Sequence, residues 1–235
     1  MTGTTDHSGK VALVTGGNGR IAFETARRLA ALGFTVLVGV RDLAKGEAAA
    51  RKLGGNVEAI ALDLAAPDGP ALAAAEVERR FGRLDVLVNN GAVHYALSAR
   101  ALRPDRTLGG KTFETYVVGA WRMAFAFVPL LSASGHGRLV IVSPEAGSLA
   151  SMNAGAPAYA TGRATLNALT RILAAELRGA GVLVNAISPD WVEADKGKPD
   201  GRPVAPGAAG IVWAATLPDD GPTGGLFRNV KRLPW

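Results

Sequence analysis

Short β-branched runs alternate along the chain with longer stretches in which apolar residues recur every three or four positions. VALVTG (11–16), TVLVGVR (35–41), VEAIALDL (57–64), LDVLVNN (84–90), GRLVIVS (137–143) and VLVNAIS (182–188) have the composition of buried strands. Between them lie helical patterns at 23–33, 44–55, 70–82, 111–131 and 158–179. A Pro/Gly-rich segment covers 189–210, a short helical pattern 208–217, and GGLFRNV (224–230) a last strand. Near-continuous Val/Ile/Leu strands, each followed by a helix, predict a parallel sheet covered on both faces. Right-handed crossovers then give a doubly wound α/β fold of about seven strands. No linker or internal repeat divides the chain, so one domain over 1–235 is expected, with 1–9 flexible and 190–210 as a substrate lid.

Ligands in such folds bind outside the carboxyl ends of the strands. Those ends carry Gly16, Arg41, Asp63, Asn90, Ser143 and Pro189. The first continues as TGGNGRIA, a glycine turn that opens a helix. Such a turn brings backbone N–H groups and a helix N-terminus to a pyrophosphate. Gly16, Asn18, Gly19, Arg20 and Ile21 are the candidates there, with Ala22 small enough for the helix to approach the sheet. The second strand ends in Val40-Arg41, with no acid for a ribose hydroxyl. A guanidinium there suits a 2′-phosphate, which favours NADP(H) over NAD(H). Asp63 and Leu64 end the third strand beside the expected adenine, and Asn90, Gly91 and Ala92 end the fourth.

Composition narrows the picture further. The chain has no cysteine, which removes disulfides and thiolate chemistry. His7, His94 and His136 are scattered without metal-ligand spacing and are expected on the surface or in loops, with no metal. The net charge of +6 is spread without a basic block, so no nucleic-acid partner is expected. No apolar run approaches the roughly 18 residues of a membrane span, and the polar start lacks a signal-peptide core. The expected location is the cytoplasm.

GKVALVTGGNGRIA, VRD, ALDL, LDVLVNNGA, GRLVIVS, YATGR and VNAISPDWV together resemble the short-chain dehydrogenase/reductase family, in its order and spacing. The closing GPTGGLFRNVKRLPW is similar to its carbonyl-reductase-like members. The resemblance implies a Rossmann fold, a nicotinamide cofactor, and Pro189 and Val192 over the nicotinamide. It also implies a dimer or tetramer through helices 111–131 and 158–179. Family enzymes use an Asn, Ser, Tyr, Lys tetrad. Tyr159 matches, Arg163 stands for the Lys, Tyr116 for the Asn and Pro144 for the Ser, with Ser143 and Ser148 as alternative hydroxyls. Asp190 replaces a glycine, and NNAG is written Asn89-Asn90-Gly91-Ala92.

Carbonyl reduction needs a proton at the developing alkoxide. A tyrosine hydroxyl, titrating in water near about 10, serves when a cation favours its phenolate. Arg163 supplies charge but is planar and releases no proton. Three readings therefore stand side by side. One is an NADP(H)-dependent oxidoreductase acting on a carbonyl or hydroxyl with an altered tetrad: Tyr159, Arg163, Ser143 and Tyr116. Another is a cyclase, isomerase or lyase using Tyr159 as acid or base. The third is a catalytically silent ligand-binding homologue. Trp191 and Tyr95 are candidates for an apolar substrate pocket, Trp191 equally for the core.

Overall fold

The computed structural model describes residues 6–17, 19–90, 101–102, 110, 113–154, 156–189 and 204–235. The strands are β1 (Val11–Thr15), β2 (Thr35–Val40), β3 (Val57–Ala61), β4 (Val86–Asn89), β5 (Gly137–Val142), β6 (Val182–Ile187), β7 (Leu226–Arg228) and β8 (Lys231–Leu233). The helices are α1 (Arg20–Ala31), α2 (Leu43–Leu53), α3 (Gly69–Phe81), α4 (Gly119–Ala133), α5 (Pro157–Glu176) and α6 (Val204–Ala215). A π-helical turn, Glu114–Val118, leads into α4. The sheet runs β3-β2-β1-β4-β5-β6-β7-β8. All neighbours are parallel except β7 and β8. The order reverses between β1 and β4, which makes the carboxyl end of β1 the switch point of a Rossmann-type fold.

Alternation along each strand divides the core in two. Leu13, Leu37, Leu87 and Leu139 face one way and pack with Met123, Phe127, Leu166 and Leu173 of α4 and α5. Ala12, Val14, Val36, Val38, Val86 and Val88 face the other way, against Ala22, Ala26 and Leu29 of α1 and Ile211 and Ala214 of α6. The second face is lined mostly by Ala and Val, the first mostly by Leu with Met and Phe. Helix ends follow local chemistry. Asp42 caps α2, accepting the Lys45 N–H at 3.2 Å, and Gly82 ends α3 at a φ of 67°.

The structure corrects several expectations. The sheet has eight strands; KRL is too short and too polar to advertise the antiparallel β8. Helix α6 begins at Val204, inside the segment read as lid, because Pro206 falls in a first turn where no N–H is needed. Helix α1 likewise begins at Arg20 rather than at 23. His7 is buried, stacked on Phe34 with ring centroids 4.5 Å apart, and its N–H bonds Leu32 O at 3.0 Å. Burial also holds its pKa below the ordinary 6.5. Among the described residues, no helix is long and apolar enough to cross a membrane.

Candidate active site

The glycine turn is shaped by what is missing. Gly16 has a φ of 69°, and its N–H bonds Gly39 O at 2.9 Å. A Cβ added to Gly17 would lie 2.5 Å from the Val38 Cβ, so only glycine lets the turn rest on β2. The Gly19 N–H closes the turn onto Gly16 O at 2.9 Å, and Gly19 is also the N-cap of α1. Ala22 is fully buried behind it, and Ile21 is half-buried against the same core face. The first turn of α1 holds no acid, which leaves its N-terminus favourable to an anion. These features fit a dinucleotide pyrophosphate. Arg20 lines an open cleft of about 430 Å³ with Phe23, Glu24, Val204 and Ala205. Asn18 lies outside the described residues.

Gly17 and Thr15 escaped the sequence reading. Thr15 is buried, and its hydroxyl accepts the Asn90 N–H at 2.8 Å, while Asn90 Nδ2 donates to Thr15 O at 3.4 Å. These bonds tie β1 to the residue after β4 at the switch point. The doubled glycine in TGGNG was the available signal for Gly17; Thr15 had none beyond its place before the turn.

At the end of β2, Val40 is buried and Arg41 exposed, without an ion pair among the described residues. The neighbouring Asp42 carboxylate is committed to the α2 cap and to Lys45 Nζ at 3.1 Å. Beyond β3, Asp63 Oδ1 accepts the Ala65 N–H at 3.0 Å. Leu64 is half-buried, and its carbonyl would lie 2.8 Å from a Cβ on Gly119, so glycine lets α4 meet this edge.

Tyr159 and Arg163 stand one turn apart near the start of α5, both buried. The Arg163 guanidinium carbon is 5.2 Å from the centre of the Tyr159 ring. Its Nη1 donates to Val142 O at 2.8 Å, while the Ser143 hydroxyl donates to Arg163 O at 3.4 Å. Helix α5 is thus tied to the end of β5 in both directions. The Ser148 hydroxyl donates elsewhere, to Pro234 O at 2.9 Å. Pro144 precedes a 3-10 turn, Glu145–Gly147. Gly147 packs directly on α5: a Cβ there would lie 2.6 Å from the Arg163 Cβ, and Asn167 Nδ2 bonds its carbonyl at 2.9 Å. Asn167 was not foreseen either.

Ala156, just before α5, has a φ of 44°, a left-handed backbone unusual for alanine. Such strain clusters near functional groups. Tyr116 falls in the π-helical turn, a feature common at functional sites. Pro189 follows β6 with its carbonyl against Gly207 of α6. Tyr95, Gly91, Ala92, Asp190, Trp191 and Val192 lie outside the described residues. The structure therefore brings Gly16, Gly19, Arg20, Arg41, Asp63, Asn90, Ser143, Tyr159, Arg163 and Pro189 to one edge of the sheet or to the helices beginning there.

Known proteins resemble this chain in sequence and in fold. Over 189 residues, 77% of this chain and 69% of the relative, it is 38% identical to the short-chain reductase protein NovJ of Streptomyces niveus. It is 30% identical over 227 residues, 88% of each chain, to the short-chain dehydrogenase anuI of Penicillium roqueforti. The Pseudomonas aeruginosa RhlG/NADP active-site complex superposes with a TM-score of 0.86 at 26% identity, over 97% of both chains. A metagenomic short-chain oxidoreductase in complex with NADP gives 0.81 at 29% identity, over 94% of this chain and 96% of that one. With residues 10–202 also matching the short chain dehydrogenase family model, the chain belongs to the short-chain dehydrogenase/reductase family.

Proposed function

We propose that the protein is an NADP(H)-dependent oxidoreductase acting on a carbonyl or hydroxyl of a small, hydrophobic molecule. The observation that carries this reading is the shared edge. The Gly17 cradle and the buried Tyr159–Arg163 pair open onto the carboxyl ends of one sheet. When bound, the nicotinamide supplies or accepts the hydride. Gly16, Gly17, Gly19 and the α1 N-terminus receive the pyrophosphate. Arg41, helped by Arg20, receives the 2′-phosphate, and Asp63 and Leu64 border the adenine. Asn90, Gly91, Ala92, Pro189 and Val192 complete the cofactor side. Tyr159 gives or takes the proton at the substrate oxygen. Arg163 holds positive charge beside its ring and fixes the Tyr159 turn to Val142. Ser143 and Tyr116 remain the candidates for the other tetrad positions.

Assembly belongs to the same proposal. Trp121 and Phe125 sit one turn apart on α4 and Ile172 on α5, all exposed. Such a stripe suits an isologous helix interface, and a dimer or tetramer is expected by light scattering.

The test is cofactor-dependent turnover. Purified protein should bind NADPH more tightly than NADH and oxidise it with a panel of apolar ketones and aldehydes. Arg41→Ala should weaken NADPH binding by about tenfold and NADH binding much less. Equal loss for both would refute the cofactor assignment. Substrate conversion without nicotinamide turnover would replace hydride transfer with proton chemistry.

A further inference from the structure

The closing GPTGGLFRNVKRLPW has no part in the site described so far, yet its contacts converge on that site. Strands β7 and β8 form a hairpin with Arg228 opposite Lys231. Its two-residue turn puts Asn229 and Val230 at φ of 48° and 67°. A β-branched residue in the left-handed region is strained, and the tight turn requires it. The hairpin returns the chain terminus to the loop after β5. Ser148 donates to Pro234 O at 2.9 Å, and the Ala150 N–H donates to Trp235 O at 2.9 Å. Arg171 of α5 lies over the Trp235 ring at 6.0 Å. At the other end of the hairpin, Arg228 Nη1 pairs with the Glu145 carboxylate. The Glu145 N–H is held by the Ser188 hydroxyl at 3.2 Å.

Glu145 begins the turn whose Gly147 packs on the Arg163 backbone. Displacing Glu145 therefore displaces the surface against which the Tyr159–Arg163 turn rests. We infer that Arg228, through its ion pair with Glu145, is a positioning residue for Tyr159, with the C-terminal hairpin as its mount. Both partners are partly exposed, with side chains 32% and 39% accessible. A pair so exposed contributes little to stability, so the variants should fold and the positioning role is read in kcat and in Tyr159 itself. This inference rests on the oxidoreductase reading for its kinetic readout, but not for its structural one.

The experiment uses the full chain with Arg228→Met, Arg228→Lys, Glu145→Gln and the double variant Arg228→Met/Glu145→Gln. The kinetic readouts are kcat, KM and NADPH Kd. The structural readout is the Tyr159 ring resonance in protein carrying ring-labelled tyrosine, assigned by its loss in Tyr159→Phe. Arg228→Met and Glu145→Gln should each lower kcat by about tenfold, with Kd within about twofold. Both should shift the Tyr159 resonance. The double variant should be no worse than either single one, and Arg228→Lys should recover most of the loss. Should Arg228→Met fail to fold, the isosteric Glu145→Gln carries the test alone. Unchanged kcat with an unmoved Tyr159 resonance overturns the inference. If the wild type oxidises no NADPH, the oxidoreductase reading falls, and the resonance alone decides the positioning role.

Discussion

At the carboxyl end of β1 the site is made by leaving side chains out, and at the carboxyl end of β5 by crowding them in. Gly16, in the left-handed region, bonds the Gly39 carbonyl, and Gly17 lies against Val38 where a single methyl would not fit. One sheet interval beyond β4, Arg163 reaches back to Val142, Ser143 reaches forward to Arg163, and Asn167 holds Gly147. The first construction depends on backbone shape. The second depends on which side chains are present. Arg163 is anchored to the strand it packs on.

The largest test of that contrast is at α5. Tyr159→Phe should lower carbonyl reduction by roughly 10²–10⁴ while NADPH binding, measured by fluorescence titration, stays unchanged. Arg163→Lys should preserve or raise turnover, since it keeps the charge beside the ring. A native reaction indifferent to both substitutions would remove this pair from the mechanism. It would also leave the β5–α5 cross-links as scaffold alone.

Next in size is the other region. Gly17→Ala forces a methyl to within 2.5 Å of the Val38 Cβ, so the turn must move away from β2. NADPH affinity should fall by more than about tenfold, with a melting temperature lower by several degrees. Gly179→Ala is the control, because its Cβ would meet nothing within 4 Å and its φ is not positive. Wild-type NADPH binding in Gly17→Ala would mean that the turn is not built by absence.

What could be read from the sequence follows the same division. The Val-, Leu- and Ile-rich runs of β1, β4 and β5 announce buried parallel strands, and the glycines after β1 announce a tight turn that opens a helix. Local composition suffices there because the information lies in consecutive residues. Pro206 and Gly207 hid the start of α6, since a proline is harmless only once a first turn is known to exist. KRL became β8 because the Asn229–Val230 turn folds it back, and nothing in three mostly polar residues says so. His7 was expected near solvent; its burial is decided by Phe34, a contact across the β1–α1–β2 unit. The Thr15–Asn90 and Arg163–Val142 bonds likewise join residues distant in the chain, which spacing alone does not pair.

The smallest expected effect concerns Glu24 of α1, the helix that the glycine turn opens. Glu24 accepts Arg27 Nε at 2.7 Å and Nη2 at 2.8 Å, and Arg28 Nε at 2.8 Å. Chiefly the Arg27 bonds, with Arg28 adding to them, hold its pKa down from the ordinary 4.5 to about 2. A carboxyl whose pKa is lower in the folded state adds stability that is fully present above 4.5 and is lost as pH falls through about 2. Arg27 is half-exposed, with 52% of its side chain accessible, so solvent screens the interaction. Its value at neutral pH should be well below the full linkage amount. Urea midpoints of wild type and Glu24→Gln should therefore differ at pH 7 and converge towards pH 2. High salt should narrow the gap, because the charges are near the surface. NADPH affinity at pH 7 should stay within about twofold, since the cradle is set by Gly16, Gly17 and Val38 rather than by the Glu24 carboxylate. Parallel curves from pH 4.5 to 2 would show that the carboxylate is no more stabilised in the folded protein than in the unfolded chain. A large loss of NADPH affinity would instead show that the turn depends on side chains after all, and would erase the contrast with β5.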